Sequence, residues 1–374
     1  MTTPAGEVAD RLSIAYFVSP SVHFAGIERV THEIASGLAD AHPLLLDVHV
    51  IYSSEYDEPS LASTPYTKHV LGVDRLRNLA AALRRVVEEH EFDVLVVPQI
   101  EASVIAWAAT RRTGLGMLVP HLHGNPRLEF EDGTRRTRAA FRVFRTVVAR
   151  QVPVVLAVSP SLRDYAARSV AKHAKVVFAK NPVRQLTPVE RVETDDGRFR
   201  FVCVARLSVQ KGQDVLLRAV ALARPELPPF VVTLVGQGDQ EGTLRALAHD
   251  LGLDDVVVFA GYAAEPAHQL AKADCFVLAS RWEGFGVALV EALQAGLPVV
   301  ATSCEFGPAD IVTDPVLGEL ATSEDPTSLA AALVRTARRP WDPSEADARR
   351  QAAAEYAPAE AVATHFSILQ SLRR

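Results

Sequence analysis

The stretch Ala273-Asp-Cys-Phe-Val-Leu-Ala-Ser280-Arg-Trp-Glu283-Gly-Phe-Gly286-Val-Ala-Leu-Val-Glu291-Ala-Leu-Gln-Ala-Gly296-Leu-Pro298-Val-Val300 decides the fold. Its apolar run Cys275–Ala279 lacks period-two alternation, so it reads as a strand covered on both faces. Val287–Ala295 has helical spacing, Gly296 stands where helices end in a left-handed residue, and Pro298–Thr302 is a second apolar strand. Strand, glycine-rich tip, helix and strand form the repeating unit of a parallel sheet with right-handed crossovers.

Working outward, the same alternation runs through the chain. Leu12–Val18, Leu44–Tyr52, Asp93–Val97, Met117–Leu122 and Val154–Val158 read as buried strands, as do Phe201–Ala205, Val231–Val235 and Val256–Ala260. Between them lie helical patterns at Arg29–Ala39, Leu76–Glu89, Ala102–Arg111, Ser161–Ala171, Val215–Ala223, Leu244–Ala248 and Ser328–Arg338. A chain of 374 residues exceeds what one core usually holds. The expected architecture is α/β, with two doubly wound Rossmann-like domains in tandem. Asn181–Arg198, with Pro182, Pro188 and a charged run poor in apolar residues, reads as the linker.

Composition removes several classes. A hydrophobic share of 48% against 22% charged argues for globular structure over disorder. A net charge of −6 argues against a nucleic-acid partner. The three cysteines, Cys203, Cys275 and Cys304, are widely spaced, which disfavours a disulfide scaffold or a structural zinc and suits a reducing cytosol. Met1–Arg11 has no apolar core of a signal peptide, and no stretch reaches the roughly 18–20 apolar residues of a bilayer span. A cytoplasmic location is expected.

Doubly wound sheets bind ligands at the carboxyl tips of their strands, and four tips in the second half are rich in chemistry. Arg206 follows Phe201–Ala205 directly, and Lys211-Gly212 opens the next helix. Two fixed cations there suit a diphosphate, whose charge grows as a leaving group departs; solvated loop cations are the plainer reading. Gly236-Gln-Gly238 reads as a tight turn, with close backbone approach to a ligand as the second reading. The strand that follows ends in Phe259-Ala260-Gly261 without the acid a dinucleotide fingerprint expects. Gly284 and Gly286 free the N-terminus of the helix that begins at Val287, where an anion is favoured. Glu291 lies one turn beyond Val287 and suits vicinal hydroxyls, while Glu283 in the loop suits hydroxyls of a sugar. Gly307-Pro308-Ala-Asp310 shapes the same region or simply turns the chain.

Taken together, Arg206, Lys211-Gly212 and the long segment from Ala273 to Val300 resemble the retaining GT-B glycosyltransferases of family 4, strongly in the second half and more loosely in the first. The resemblance implies an N-terminal acceptor domain over residues 1–183, a nucleotide-sugar donor domain over 184–345, and a C-terminal helical segment, 346–374, packing back on the first domain. It implies two domains facing across a cleft. It gives Arg206 and Lys211 to the donor diphosphate and Glu283 to the donor sugar. Gly284, Phe285, Gly286 and Val287 would line the donor through the helix end, Glu291 would bind the ribose, and Gly238 would border the base. In the first half it gives Gly26, in Ala25-Gly26-Ile-Glu-Arg29, to the loop that meets the diphosphate. His123 is given to the donor sugar, with His121 as the competing choice. Asn181-Pro182 matches the family's domain junction.

The implied reaction is retaining transfer of a hexose or N-acetylhexosamine from a UDP-sugar to a glycan or lipid-linked acceptor. GDP-mannose-dependent mannosyl transfer, or transfer to a small-molecule natural product, stands as the alternative. A sugar-nucleotide epimerase and a non-catalytic sugar-nucleotide binder are more remote. No Asp-x-Asp suited to a metal-bound diphosphate is found, so no metal and no other cofactor is expected. Last, Arg135, Arg136, Arg138, Arg142, Arg145 and Arg150 crowd one segment, with Arg135, Arg138, Arg142 and Arg145 on one helical face. Attraction to an anionic membrane or a phosphorylated acceptor is one reading, and a solvated helix face is the other.

Overall fold

The computed structural model describes residues 11–19, 26–73, 76–187, 191–192, 196–263 and 265–373. The described residues fall into two compact units: one holds those up to Val158, Leu162–Pro182 and the stretch from Pro358, and the other holds Ser159–Ser161 and Val183–Ala357. Pro188 and Glu190 of the expected linker, and Ala25 beside Gly26, lie outside the described residues.

The first unit is built on seven strands: β1 (Leu12–Val18), β2 (Leu46–Tyr52), β3 (Thr67–Val70), β4 (Val94–Pro98), β5 (Met117–Leu122), β6 (Val154–Ala157) and β7 (Lys175–Phe178). They lie in the order β3-β2-β1-β4-β5-β6-β7, and every pairing is parallel. The second unit has β8 (Phe199–Val204), β9 (Phe230–Val235), β10 (Val257–Gly261), β11 (Cys275–Leu278), β12 (Val299–Thr302) and β13 (Gly318–Ala321). Their order is β10-β9-β8-β11-β12-β13, again wholly parallel. Two Rossmann-like doubly wound domains are thus present. In each sheet the direction of winding reverses once, between β1 and β4 in the first and between β8 and β11 in the second.

Continuous Val/Leu/Ile runs form the inner strands because helices cover both faces. Phe201, Val232, Leu234, Val277 and Val300 join the helices Gln213–Ala223 and Pro326–Arg338 in one apolar core, with Val232, Leu216 and Leu333 fully buried. The first unit's core joins Ile14, Val50 and Val96 to Ile34 and Leu38 of helix Ile27–Ala41.

The C-terminal region splits between the units. Helix Pro343–Ala354 stays with the second unit, packing on helix Val287–Gln294 through buried Ala346 and Ala353. The helix that belongs to the first unit is Pro358–Ser371, so the returning segment begins at Pro358 rather than at 346. It fits there because Gly37 of helix Ile27–Ala41 has no side chain: a Cβ would sit 2.3 Å from Val362 Cγ2. His42 stacks on Phe366 at 3.5 Å between ring centroids. Among the described residues no helix is long and apolar enough to cross a membrane.

Candidate functional site

The reversal between β8 and β11 opens a crevice at the carboxyl ends of these two strands. Arg206 leaves β8 into solvent, and its guanidinium has no ion-pair partner among the described residues. The chain then turns through Val209–Lys211 into helix Gln213–Ala223. Gly212 permits this: its φ is 61°, and a Cβ there would meet the Ala279 carbonyl oxygen at 2.1 Å. Only glycine lets this loop lie against the tip of β11.

That approach sets Lys211 Nζ 2.6 Å from Glu283 Oε1, which also accepts from Ser280 Oγ at 2.6 Å. The Glu283 side chain is 7% exposed and that of Lys211 21%. The two side chains thus form one sheltered contact at the tip of β11.

A second clasp joins the same two loops. Arg281 grips Asp214 through two bonds of 2.8 Å and donates to the Val209 carbonyl at 2.8 Å. Gln210 Nε2 reaches the Trp282 carbonyl at 3.1 Å, and the Arg281 N–H reaches the Gln210 carbonyl at 2.8 Å. The fork from Arg281 also holds the Asp214 carboxyl below its usual range. Arg281 therefore ties the loop that carries Lys211 to the loop that carries Glu283. Arg281→Ala should lower kcat/KM about tenfold with a Tm loss of only a few degrees, since a half-exposed pair contributes about 1 kcal/mol or less. Steady-state kinetics beside a melting curve would check this; unchanged kinetics would remove the positioning role.

After Glu283 the chain passes buried Gly284 and Gly286 into helix Val287–Gln294. Gly286 has φ 104° and no side chain caps the helix, so its first backbone N–H groups are offered to an anion. The Phe285 ring is not presented to a ligand. It is 4% exposed and packs 5.1 Å from Tyr356, leaving only its backbone at the loop. Val287 is 36% exposed. Glu291, one turn on, lies with Oε1 3.7 Å from Nε of Arg184, a residue that sequence reasoning passed over.

At Gly238 the backbone itself makes a close approach. A Cβ on it would fall 2.0 Å from the Leu207 carbonyl oxygen, so its bare backbone lets the β9 tip pack on the β8 tip. The Leu207 N–H accordingly donates to Gln237 O at 3.0 Å. Exposed Tyr262 follows the end of β10.

In the first unit, Gly26 caps helix Ile27–Ala41 with φ 53°, and a Cβ there would meet nothing within 4 Å. Gln99, at the tip of β4 beside the other sheet reversal, holds φ 67° and ψ 156°, a conformation costly for any residue but glycine. Nothing in its sequence marks it. His123 stands past β5, its ring 4.0 Å from that of His121, which is 5.6 Å from that of His365 on helix Pro358–Ser371. The two candidates for the histidine role thus adjoin each other. Among the described residues, Nε2 of all three rings is buried without a hydrogen-bond partner. Burial first, then His365, holds His123 down to about 3, and burial holds His365 down to about 4, so these two rings are neutral at pH 7. Glu129 goes the other way: burial and Glu101 push it up to about 7.

The arginine segment forms helix Arg135–Thr146, with Phe141 and Phe144 buried and Arg135, Arg138, Arg142 and Arg145 exposed. Arg136 pairs with Glu101. No group of three or more metal-ligating side chains able to hold an ion occurs among the described residues.

The second domain thus carries a cation–carboxylate pair and a helix end without a side-chain cap at its switch point. Residues 25–182 match the family described as "Glycosyl transferase 4-like domain", and residues 188–357 match "Glycosyl transferases group 1". The chain belongs to these GT-B glycosyltransferases and is an enzyme of the transferase class. It is 29% identical over 275 residues to a GDP-mannose-dependent alpha-(1-6)-phosphatidylinositol monomannoside mannosyltransferase of Mycolicibacterium smegmatis, covering 68% of this chain and 70% of that relative. It is 22% identical to a lipopolysaccharide 1,6-galactosyltransferase of Escherichia coli over 83% of this chain and 84% of that one. Among solved structures, sucrose-phosphate synthase from Thermosynechococcus elongatus superposes with a TM-score of 0.81 at 18% identity, covering 97% and 99% of the two chains. Anabaena HepE, solved with UDP and glucose, gives 0.75 at 21% identity, covering 97% and 100%. At these identities the structural likeness speaks for the fold.

Proposed function

We propose that the protein is a retaining glycosyltransferase that moves a hexose or N-acetylhexosamine from a UDP-sugar to a glycan or lipid-linked acceptor in cell-surface polysaccharide assembly. The observation that carries this reading is the Lys211–Glu283 pair at the switch point, 2.6 Å apart, in the loops that follow β8 and β11, the second of which leads into the uncapped helix Val287–Gln294. Arg206, Lys211 and the backbone at Gly284–Gly286 and Val287 bind the diphosphate. As the bond to the sugar breaks, negative charge collects on the leaving phosphate, and fixed donors in a sheltered site stabilise that change most. Glu283, anchored by Ser280 and Lys211, holds the sugar hydroxyls, and Glu291 holds the ribose. His123, neutral, takes hydrogen bonds from the sugar side, and Gly26 admits the diphosphate to the first domain's loop. The leaving phosphate oxygen accepts the acceptor proton on the same face. The arrangement works without a metal.

A second reading is favoured by the Mycolicibacterium smegmatis relative, named as GDP-mannose-dependent. Melting curves with UDP, GDP, ADP and TDP, and then turnover with the sugar forms of the nucleotide that stabilises, separate the two. A ligand at 100 times its Kd adds about 2.7 kcal/mol. We expect UDP to stabilise and turnover to survive EDTA. Stabilisation by GDP alone would install the mannosyl reading, and loss of turnover in EDTA would remove the metal-free one. Exposed arginines on helix Arg135–Thr146 suit a cytoplasmic enzyme that touches anionic lipid while working on a lipid-linked acceptor.

A further inference from the structure

Arg184 is the first charged residue after the domain junction Asn181-Pro182, and the chain around it is pinned on both sides. The Val183 N–H donates to Tyr356 O at 2.9 Å, and the Leu186 N–H donates to Gln294 Oε1 at 3.0 Å. Gln294 lies three residues beyond Glu291 on helix Val287–Gln294, so the strap 183–186 runs along the face of the helix that carries Glu291. This places Arg184 Nε 3.7 Å from Glu291 Oε1 and Arg184 Nη1 3.2 Å from Glu265 Oε1. One guanidinium therefore bridges the helix acid to the loop that follows β10. Arg184 is 26% exposed and Glu291 only 13%, so the contact is sheltered, while Glu265 at 57% is not.

We infer that Arg184 is a positioning residue for the nucleoside: it holds the Glu291 carboxylate in one orientation toward the two vicinal hydroxyls of the donor's ribose. A carboxylate accepts two hydroxyl protons well only when both oxygens lie in the plane of the diol. A long Glu side chain left unrestrained loses rotamer freedom on binding. At 3.7 Å the contact is an ion pair, and the guanidinium, held on its other side by Glu265, draws the Glu291 carboxylate toward one place by charge, with a planar group whose position an ammonium reproduces only in part. The inference rests on Glu291 meeting the ribose, as proposed above. It adds that discrimination between a ribose and a deoxygenated sugar is set by a residue of the interdomain strap.

Titration calorimetry of the full chain with UDP and GDP, and with their 2′,3′-dideoxy counterparts, reads this without turnover. With whichever base binds, the wild-type protein should prefer the ribonucleotide roughly 10- to 100-fold, the value of hydrogen bonds to a charged group. Glu291→Gln should remove most of that ratio. Arg184→Gln should remove most of it too, and Arg184→Lys should keep part. If Glu291→Gln leaves the ratio intact, the ribose role of Glu291 falls. If Glu291→Gln removes the ratio but Arg184→Gln keeps it in full, even with weaker binding overall, the ribose role stands and the positioning role of Arg184 falls.

Discussion

Lys211→Met should lower kcat by a factor of about 100 to 1,000, the usual loss when one fixed donor to a developing charge is removed. It should also lower Tm, for a separate reason. Glu283 is nearly buried, and without the ammonium 2.6 Å away its charge loses its counter-ion. Breaking a fully buried pair costs about 3–5 kcal/mol, and the 21% exposure of Lys211 brings this toward about 1–3 kcal/mol. For a unit of this size that is a fall of roughly 3–10 °C. Glu283→Gln separates the two effects. It keeps an acceptor for Ser280 and leaves Lys211 able to reach water, so Tm should move little while kcat still drops. The double variant Lys211→Met with Glu283→Gln should recover the Tm of Glu283→Gln and none of the activity. Melting curves and single-turnover rates on the three variants check this. Full activity in Lys211→Met would end the assignment of this residue to the diphosphate.

The sequence was legible where one residue's neighbours in the chain are also its neighbours in space. β1 and β5 match their expected limits, and the other inner strands lie within two or three residues of theirs. The three strands not foreseen, β3, β7 and β13, are all edge strands. They are short, four residues each, and only partly buried: Thr67–Val70 is mostly exposed, Gly318–Ala321 has no apolar run, and the run Val176–Phe178 is only three residues long. The tips were found because glycines, cations and acids cluster within a few positions. What sequence did not reveal is pairing at a distance. Lys211 and Glu283 are 72 positions apart, so each could be read only as a separate ligand contact. Their direct bond makes them one unit. Arg184 was missed because an arginine in a linker looks like solvent-facing charge until the strap is seen pinned to Gln294. The Phe285 ring is buried against Tyr356, a long-range contact that its two glycine neighbours do not signal, while the backbone of Gly284–Gly286 stays the part read as meeting the donor. For Gly238 the structure adds a demand that neighbours in the chain do not show, the Leu207 carbonyl on the neighbouring tip.

The glycine with the heaviest burden lies outside the decisive stretch. Gly307 has φ 89°, and a Cβ on it would fall 1.9 Å from the Phe285 carbonyl oxygen and 2.5 Å from the carbon that bears it. Those atoms are backbone of the loop between Glu283 and helix Val287–Gln294, so no flexible side chain can yield. Gly307→Ala should therefore cost about 1 kcal/mol for the backbone conformation and a further 1–3 kcal/mol for displacing the loop. The displacement pushes on Gly286 and the free N–H groups of the helix end, so the donor's KM should rise by about tenfold in whatever fraction stays folded. Gly26→Ala is the matched control. It has a comparable positive φ of 53° but nothing within 4 Å of a Cβ, so its loss should stop near about 1 kcal/mol. Chemical denaturation gives both values on one scale. A Gly307→Ala protein no less stable than Gly26→Ala would mean that the Phe285 loop can move freely, and the rigid helix end that the proposed phosphate binding requires would go with it.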